Sequence, residues 1–161
     1  MKITVLGCSA SEGIPAIFCN CDLCRQARER KIYRTRSQIL INDDMLVDFP
    51  PDTYYRSLVM GVELGKIENI LVTHSHCDHF YADDFFARGD WSSFCLPVET
   101  VTIHGNTAIR NAFERNGYAK KKGTYVHESR GMINGYNVYD QSSEYTVHKP
   151  FETFTAGKYV V

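Results

Sequence analysis

The chain has 161 residues, 43% of them hydrophobic and 12% aromatic, a composition that predicts one globular domain over residues 1–161 with an apolar core. No apolar run approaches the length of a membrane span, and the first residues already alternate as in a strand, so we expect a cytoplasmic protein without a membrane partner. The net charge of −1 gives no overall electrostatic case for binding nucleic acid. Six cysteines in such a chain indicate reduced thiols or metal ligands rather than disulfides.

The first third of the chain predicts short strands separated by two helices. A first strand, which alternates polar and apolar residues, ends at Gly7, and a loop of small residues follows it. The further predicted elements are a helix from Asp22 to about Arg30, strands over 37–41 and 45–48, and a helix from about 51 to 60.

Three cysteines lie within six residues, just ahead of the first predicted helix: Cys19, Cys21 and Cys24. A helix N-terminus favours thiolates, and three converging sulfurs need one more ligand for a closed tetrahedral zinc site. The spacing therefore predicts a zinc site, with three reduced thiols that hold no metal as the alternative. Several cysteines and histidines are available as a fourth ligand, and spacing selects none of them.

A buried strand over 70–72 ends in a stretch that holds three histidines and an aspartate within six positions. His74 and His76 point the same way if the loop is extended, whereas Asp78 and His79 follow where the chain turns. Imidazole and carboxylate groups are the ligands of zinc, manganese or iron at hydrolytic centres, and loops at the carboxyl ends of strands are where α/β sheets build their sites. Four ligands from two directions favour two adjacent metal ions over one tetrahedral ion.

The remainder of the chain continues the mixture of strands and helices. The predicted elements are a short helix over 81–88, a strand over 98–103, a helix from Asn106 to about Asn116, and strands over 124–127, 136–139, 145–148 and 158–161. This order predicts an α/β fold, called α+β in some schemes, with a mixed sheet and helices on its outer face.

The motif His-x-His-x-Asp-His over 74–79 resembles the signature of the metallo-β-lactamase superfamily, whose fold is an αββα sandwich. The stretch from Gly7 to Pro15, followed by the three spaced cysteines, resembles the amino-terminal half of the PhnP-like phosphodiesterase branch. Cys77 occupies a variable position of the motif and is not expected to be a ligand.

The resemblance implies a role for each matching residue. His74 and His76 would hold one divalent ion, zinc or manganese, and Asp78 and His79 a second, with Asp78 also acting in catalysis by orienting the nucleophile. Asp48, which matches the branch's first aspartate motif, would orient the metal loop by hydrogen bonds. Members of the branch also carry a structural zinc on three such cysteines and a histidine near the carboxyl terminus.

The function implied is a phosphodiesterase that hydrolyses a small, cyclic phosphate ester with water activated by two metal ions. The superfamily's third histidine, bridging aspartate and last histidine have no match here, so we expect a truncated sandwich that lacks its carboxyl-terminal part. We expect such a chain to have little activity alone and to form a homo-oligomer that covers its open sheet. The alternatives are an RNA-processing phosphodiesterase resembling tRNase Z and a non-catalytic zinc-binding protein.

Overall fold

The computed structural model describes residues 1–88, 93–115, 118–121, 124–127 and 143–161. The predicted strand over 136–139 lies outside these ranges. No helix in the described part of the chain is long and apolar enough to cross a membrane.

The described residues form three α-helices, two 3-10 helices and ten short strands. The α-helices are α1 (Asp22–Glu29), α2 (Thr53–Met60) and α3 (Thr107–Arg115), and the 3-10 helices are Leu64–Lys66 and Ala82–Arg88. The strands are β1 (Ile3–Gly7), β2 (Gln38–Ile41), β3 (Met45–Val47), β4 (Asn69–Leu71), β5 (Val101–Gly105), β6 (Tyr118–Lys121), β7 (Thr124–His127), β8 (Ser143–Val147), β9 (Thr155–Ala156) and β10 (Tyr159–Val160).

Eight of these strands form one mixed sheet in the order β1-β2-β3-β4-β5-β8-β7-β6, and β9 and β10 form a separate hairpin. Strands β3, β4, β5 and β8 are parallel, and β1 runs in the same direction because β2 is antiparallel to both β1 and β3. The carboxyl ends of β1, β3, β4, β5 and β8 therefore meet at one edge of the sheet. We call this the carboxyl edge.

One face of the sheet carries the core. Its strands contribute buried side chains that form one cluster with Ile109 and Phe113 of α3 and with Phe85 of the second 3-10 helix. The core side chains of these strands are Leu6, Leu40, Leu46, Ile70, Val101, Ile103 and Tyr145. Burial of this apolar area fixes α3 and the second 3-10 helix against the sheet.

The opposite face carries an apolar row that crosses four strands. Val5 pairs with Ile39, Ile39 with Val47, and Val47 with Leu71, so these four side chains share one face. Val5 is more than half exposed, and the other three are only partly buried. The row is an apolar surface of the kind that another sheet layer covers in a sandwich.

One predicted strand boundary is wrong by three residues. The strand predicted over 98–103 begins only at Val101, because Val98 is engaged outside the sheet: its N–H donates to the Gly65 carbonyl and its own carbonyl accepts from Arg88. The helix predicted from Asp22 begins at that residue, with Cys21 as its N-cap.

Candidate metal centre

The histidine loop, residues 73–79, lies at the carboxyl edge directly after β4. The Val72 N–H still donates to the His104 carbonyl at 2.9 Å, which continues the parallel pairing up to the start of the loop. The loop then turns back on itself, because the N–H groups of His79 and Phe80 both donate to the His76 carbonyl, at 2.9 and 2.8 Å. This turn brings the two halves of the motif together.

The three imidazole rings of the loop lie against one another. The ring centroid of His74 is 4.7 Å from that of His76 and 4.0 Å from that of His79. No apolar core surrounds these rings, and the loop keeps them at the sheet edge, where they remain partly accessible. The structure thus brings together the three histidines that the motif predicts.

Asp48 follows β3 and is buried beside the loop, with 4% of its surface exposed. One carboxylate oxygen accepts hydrogen bonds from the Thr73 N–H and hydroxyl, both at 2.8 Å, and the other lies 2.7 Å from Nδ1 of His79. A carboxylate only accepts hydrogen bonds, so Nδ1 of His79 carries a proton, and the neutral imidazole then has its lone pair on Nε2. Asp48 therefore fixes the tautomer in which His79 can bind a metal ion through Nε2.

The tautomer of His74 is set in a similar way, through Thr73. The Thr73 hydroxyl has a single proton, which it donates to Asp48, so it can only accept from Nδ1 of His74 at 3.1 Å. In the neutral ring of His74 the lone pair is then also on Nε2. The buried Asp48 carboxylate, acting through Thr73, sets the tautomers of two of the three histidines.

Asp78 contributes a carboxylate to the same place. Its Oδ2 atom lies 3.5 Å from Nε2 of His79, and both side chains are mostly buried. Two ligand atoms that each lie about 2.0–2.2 Å from one tetrahedral ion are separated by roughly this distance. Asp78 and His79 therefore fit one ion as a pair.

The cysteine cluster, Cys19, Cys21 and Cys24, is the other candidate metal site. Among the residues that the structure describes, it is the one group of three or more histidine, cysteine or acidic residues whose donor atoms all lie within 4.8 Å of one another. Sγ of Cys19 is 3.4 Å from Sγ of Cys21, and Cys24 is buried and accepts from the Ala16 N–H at 3.3 Å. The chemistry of three converging thiols fits zinc.

The cluster lowers the cost of ionising one thiol. A hydrogen bond from the backbone at Cys24, with further ones from the Cys19 and Cys24 side chains, lowers the pKa of the exposed Cys21 thiol to about 7. The Ala16 N–H also lowers the pKa of Cys24, but burial and the two neighbouring thiols outweigh it, so that this pKa is raised. With its pKa lowered to about 7, the Cys21 thiol is readily deprotonated to the thiolate near neutral pH, and the thiolate is the form that binds metal ions.

Two histidines that the sequence did not predict to be in contact form a pair near the histidine loop. They lie on the face of the sheet opposite the core. Nδ1 of His104 is 3.0 Å from Nε2 of His148, and Nε2 of His104 is 3.0 Å from Oδ1 of Asn69. The His148 ring also stacks on Phe154, and both histidines line a cavity of about 370 Å³ that Thr73 adjoins. Burial, and secondarily the charge of His148, lowers the pKa of His104 to about 4, so His104 is neutral at physiological pH.

No family model matches the sequence. The octanoyltransferase of Porphyromonas gingivalis is 29% identical over 129 residues, which are 78% of this chain but only 25% of that protein. Because only a quarter of that protein is matched, its name does not assign a function to this chain.

Solved structures are more similar in fold than in sequence. Zn²⁺-bound PqqB from Methylobacterium extorquens has a TM-score of 0.64 and 17% identity and covers 96% of this chain and 51% of its own. The metallo-β-lactamase fold protein YhfI from Bacillus subtilis has a TM-score of 0.60 and 20% identity, with coverages of 98% and 50%. A diphosphatase from the PhnP family has a TM-score of 0.55 and 23% identity, with coverages of 85% and 60%.

This chain spans 50 to 60% of the length of these three structures. Over that span, the mixed sheet, the helices on one of its faces and the position of the histidine loop agree with the fold predicted from the motif. The fold prediction is confirmed: the chain has the metallo-β-lactamase fold.

Proposed function

We propose that the histidine loop is the metal centre of a hydrolase, specifically a phosphodiesterase of the PhnP-like branch that acts on a small, cyclic phosphate ester. The observation that carries this proposal is the bond between Asp48 and His79, which leaves Nε2 of His79 and the carboxylate of Asp78 only 3.5 Å apart. A buried carboxylate that orients a histidine beside a second carboxylate is the arrangement of a metal ligand set.

The similar structures support the same reaction class. One is a diphosphatase of the PhnP family and another was solved with bound Zn²⁺. Because this chain spans only 60% and 51% of these two proteins, they support the proposal without establishing it.

In this proposal His74 and His76 hold one divalent ion, zinc or manganese, and Asp78 and His79 hold a second. Two such ions, when bound, supply an activated water and neutralise negative charge on the phosphoryl oxygens. The chain's own part is to orient the ligands through Asp48 and Thr73. The carboxylate of Asp78 would also accept a hydrogen bond from the attacking water, which makes it the proposed catalytic residue.

The cysteine cluster is proposed as a structural zinc site, separate from the catalytic centre. Its three thiols fix the segment that enters α1, where Cys24 is buried. All six cysteines are free thiols, which fits the reducing cytoplasm where we propose that the protein acts.

We also propose a homo-oligomer in which the apolar row of Val5, Ile39, Val47 and Leu71 is covered by a second copy. The row crosses four strands and is only partly buried. Sedimentation velocity of the wild type and of a Val5→Lys variant would test this, with a shift toward monomer expected for the variant.

Hydrolysis of bis(4-nitrophenyl) phosphate and of a nucleoside 2′,3′-cyclic phosphate by the metal-loaded protein tests the proposed reaction. Since residues 1–161 supply four of the ligands in the proposed centre, we expect weak but metal-dependent turnover. It should disappear in His76→Ala and persist in Cys77→Ser, a matched change at an exposed position inside the same loop. About one zinc per chain, lost in Cys21→Ser but kept in His76→Ala, without turnover of either ester, would favour the non-catalytic zinc-binding alternative, in which the chain holds only the structural metal.

A further inference from the structure

The small net charge of the chain conceals one strongly basic segment. Residues 25–36 hold six of the eighteen lysines and arginines and one of the nineteen acidic residues. The rest of the chain therefore has twelve basic and eighteen acidic residues. Positive charge is concentrated in α1 and the segment that joins it to β2.

Most of the basic side chains in this segment are available to bind an anionic ligand. Arg30, Lys31 and Arg34 are exposed, and in the part of the chain that the structure describes none of them forms an ion pair with a carboxylate. Arg28 donates to the Cys19 carbonyl, which leaves its charge uncompensated. Arg25 pairs with Asp22, but both side chains are exposed, and such a pair is weak. We call Arg25, Arg28, Arg30, Lys31 and Arg34 the basic surface.

Two exposed aromatic rings lie on the chain segments that are joined to these cations. Phe18 is fully exposed and Tyr33 is 53% exposed, although phenylalanine side chains are usually buried. Backbone hydrogen bonds of 2.9 and 2.7 Å between Ile14 and Arg34 join the loop that carries Phe18 to the segment that carries Tyr33. The Arg28 bond to Cys19 ties the same loop to α1.

The basic surface reaches the carboxyl edge, the edge at which the histidine loop lies, through Arg34. Arg34 and Arg36 precede β2, which runs antiparallel to β1 and β3 and so begins at that edge. A Cβ atom on Gly7 would lie 1.9 Å from the Arg36 carbonyl oxygen, so glycine permits the close approach that holds this segment against the end of β1. Arg36 in turn binds Asp52 at 2.9 Å, four residues beyond the Asp48 that orients His79.

We propose that the basic surface, with Phe18 and Tyr33, binds single-stranded nucleic acid and leads its phosphodiester backbone toward the histidine loop. Guanidinium and ammonium groups neutralise the phosphates, and exposed rings stack on unpaired bases, which is how sequence-tolerant binding of single strands is built. An acidic polypeptide would use the same cations but would have no bases to stack on the rings. Binding itself does not rest on the proposed hydrolase function; the inference adds a class of substrate to that function.

Fluorescence anisotropy of a 5′-labelled twelve-nucleotide oligothymidylate with the zinc-loaded protein tests the proposal. Neutralisation of about four phosphates gives a log–log salt slope of about −3, so raising the salt from about 50 to 200 mM should weaken binding roughly fiftyfold. Arg30→Gln with Lys31→Gln, which removes two cations, should weaken binding at least tenfold and make the slope shallower by about 1.4.

Two further variants separate stacking from charge. Phe18→Ala should weaken binding about tenfold, the effect of one lost stacking contact, without changing the salt slope. The matched control is Lys2→Gln with Lys66→Gln, an equal loss of charge at exposed lysines next to the amino ends of β1 and β4, the opposite edge of the sheet. This control should leave affinity unchanged, and zinc content should be equal in all four proteins.

Three outcomes would overturn the proposal. The first is no binding at about 50 mM salt, and the second is an equal loss of affinity in the control variant. The third is that polyglutamate competes as well as oligothymidylate while Phe18→Ala leaves the affinity unchanged. The last outcome would assign the surface to an acidic protein. The readout is binding, so failure of the proposed hydrolysis would leave the result standing, and failure to bind would leave hydrolysis of the chromogenic ester unaffected.

Discussion

The replacement Asp48→Asn tests whether a buried carboxylate sets the metal-binding form of His79. Asp48 has a backbone φ of 64°, in the left-handed region, which asparagine tolerates as well as aspartate. The change therefore adds no backbone strain. The asparagine oxygen can still accept from the Thr73 N–H, so the position of the loop is retained.

What changes is the group that faces Nδ1 of His79. An amide NH₂ in place of the carboxylate oxygen, which lies 2.7 Å from Nδ1, can only donate. The imidazole then protonates Nε2 instead, so the nitrogen that faces Asp78 no longer offers a lone pair. Loss of such a supporting carboxylate costs about 10- to 100-fold in metal affinity, or roughly 1.4 to 2.7 kcal/mol.

Zinc affinity measured by competition with a chromophoric chelator gives the magnitude directly. Asp43→Asn is the control, since Asp43 is an exposed aspartate in the turn between β2 and β3, far along the strands from the carboxyl edge. We expect the loss for Asp48→Asn only at the histidine loop and no loss for Asp43→Asn. Wild-type affinity in Asp48→Asn would refute the tautomer argument.

Three other predictions follow from burial and ionisation. The pKa of His104 is lowered to about 4 from an ordinary value of 6.5. The free energy of unfolding should therefore fall by up to about 3 kcal/mol as the pH drops from 6.5 to 4. His104→Gln should flatten this pH dependence in urea titrations. Phe85→Ala, which truncates a core ring that is 2% exposed, should cost about 3–5 kcal/mol in the same titrations, whereas Phe94→Ala at an exposed position should cost under about 0.5 kcal/mol. In zinc-free protein at pH 7, iodoacetamide should modify Cys21 faster than the exposed Cys95, because the pKa of Cys21 is lowered to about 7, and added zinc should protect it.

The parts of the site that are local in sequence were predictable from the sequence. Three cysteines within six residues, or three histidines and an aspartate within six, come together through a single turn of backbone, so their spacing alone indicates a metal site. The contact between Asp48 and His79 spans 31 residues, and it was expected only from the resemblance to a known motif.

The histidine pair His104 and His148 shows where sequence reasoning failed. The two residues are 44 apart in sequence, and neither belongs to a motif. They meet because β5 and β8 pair in parallel with Gly105 opposite Val147, a register that long-range packing sets. Only the predicted strand order, combined with that register, could have placed the rings together.

The basic surface was missed for a different reason. The overall charge of −1 averages a strongly basic segment with an acidic remainder, and the average led to the expectation that nucleic acid is not a partner. The distribution of charge along the chain indicates the basic segment, which the net charge does not. The exposure of Phe18 and Tyr33 is visible only in the folded structure.

Metal analysis by mass spectrometry of the wild type, His79→Ala and Cys21→Ser tests the central claim most directly. If the histidine loop is a metal centre, the wild type should carry more than the single zinc of the cysteine cluster, His79→Ala should lose metal while it keeps that zinc, and Cys21→Ser should lose only the cluster's zinc. One zinc per chain in the wild type, unchanged in His79→Ala, would contradict the assignment of the histidine loop as a metal centre.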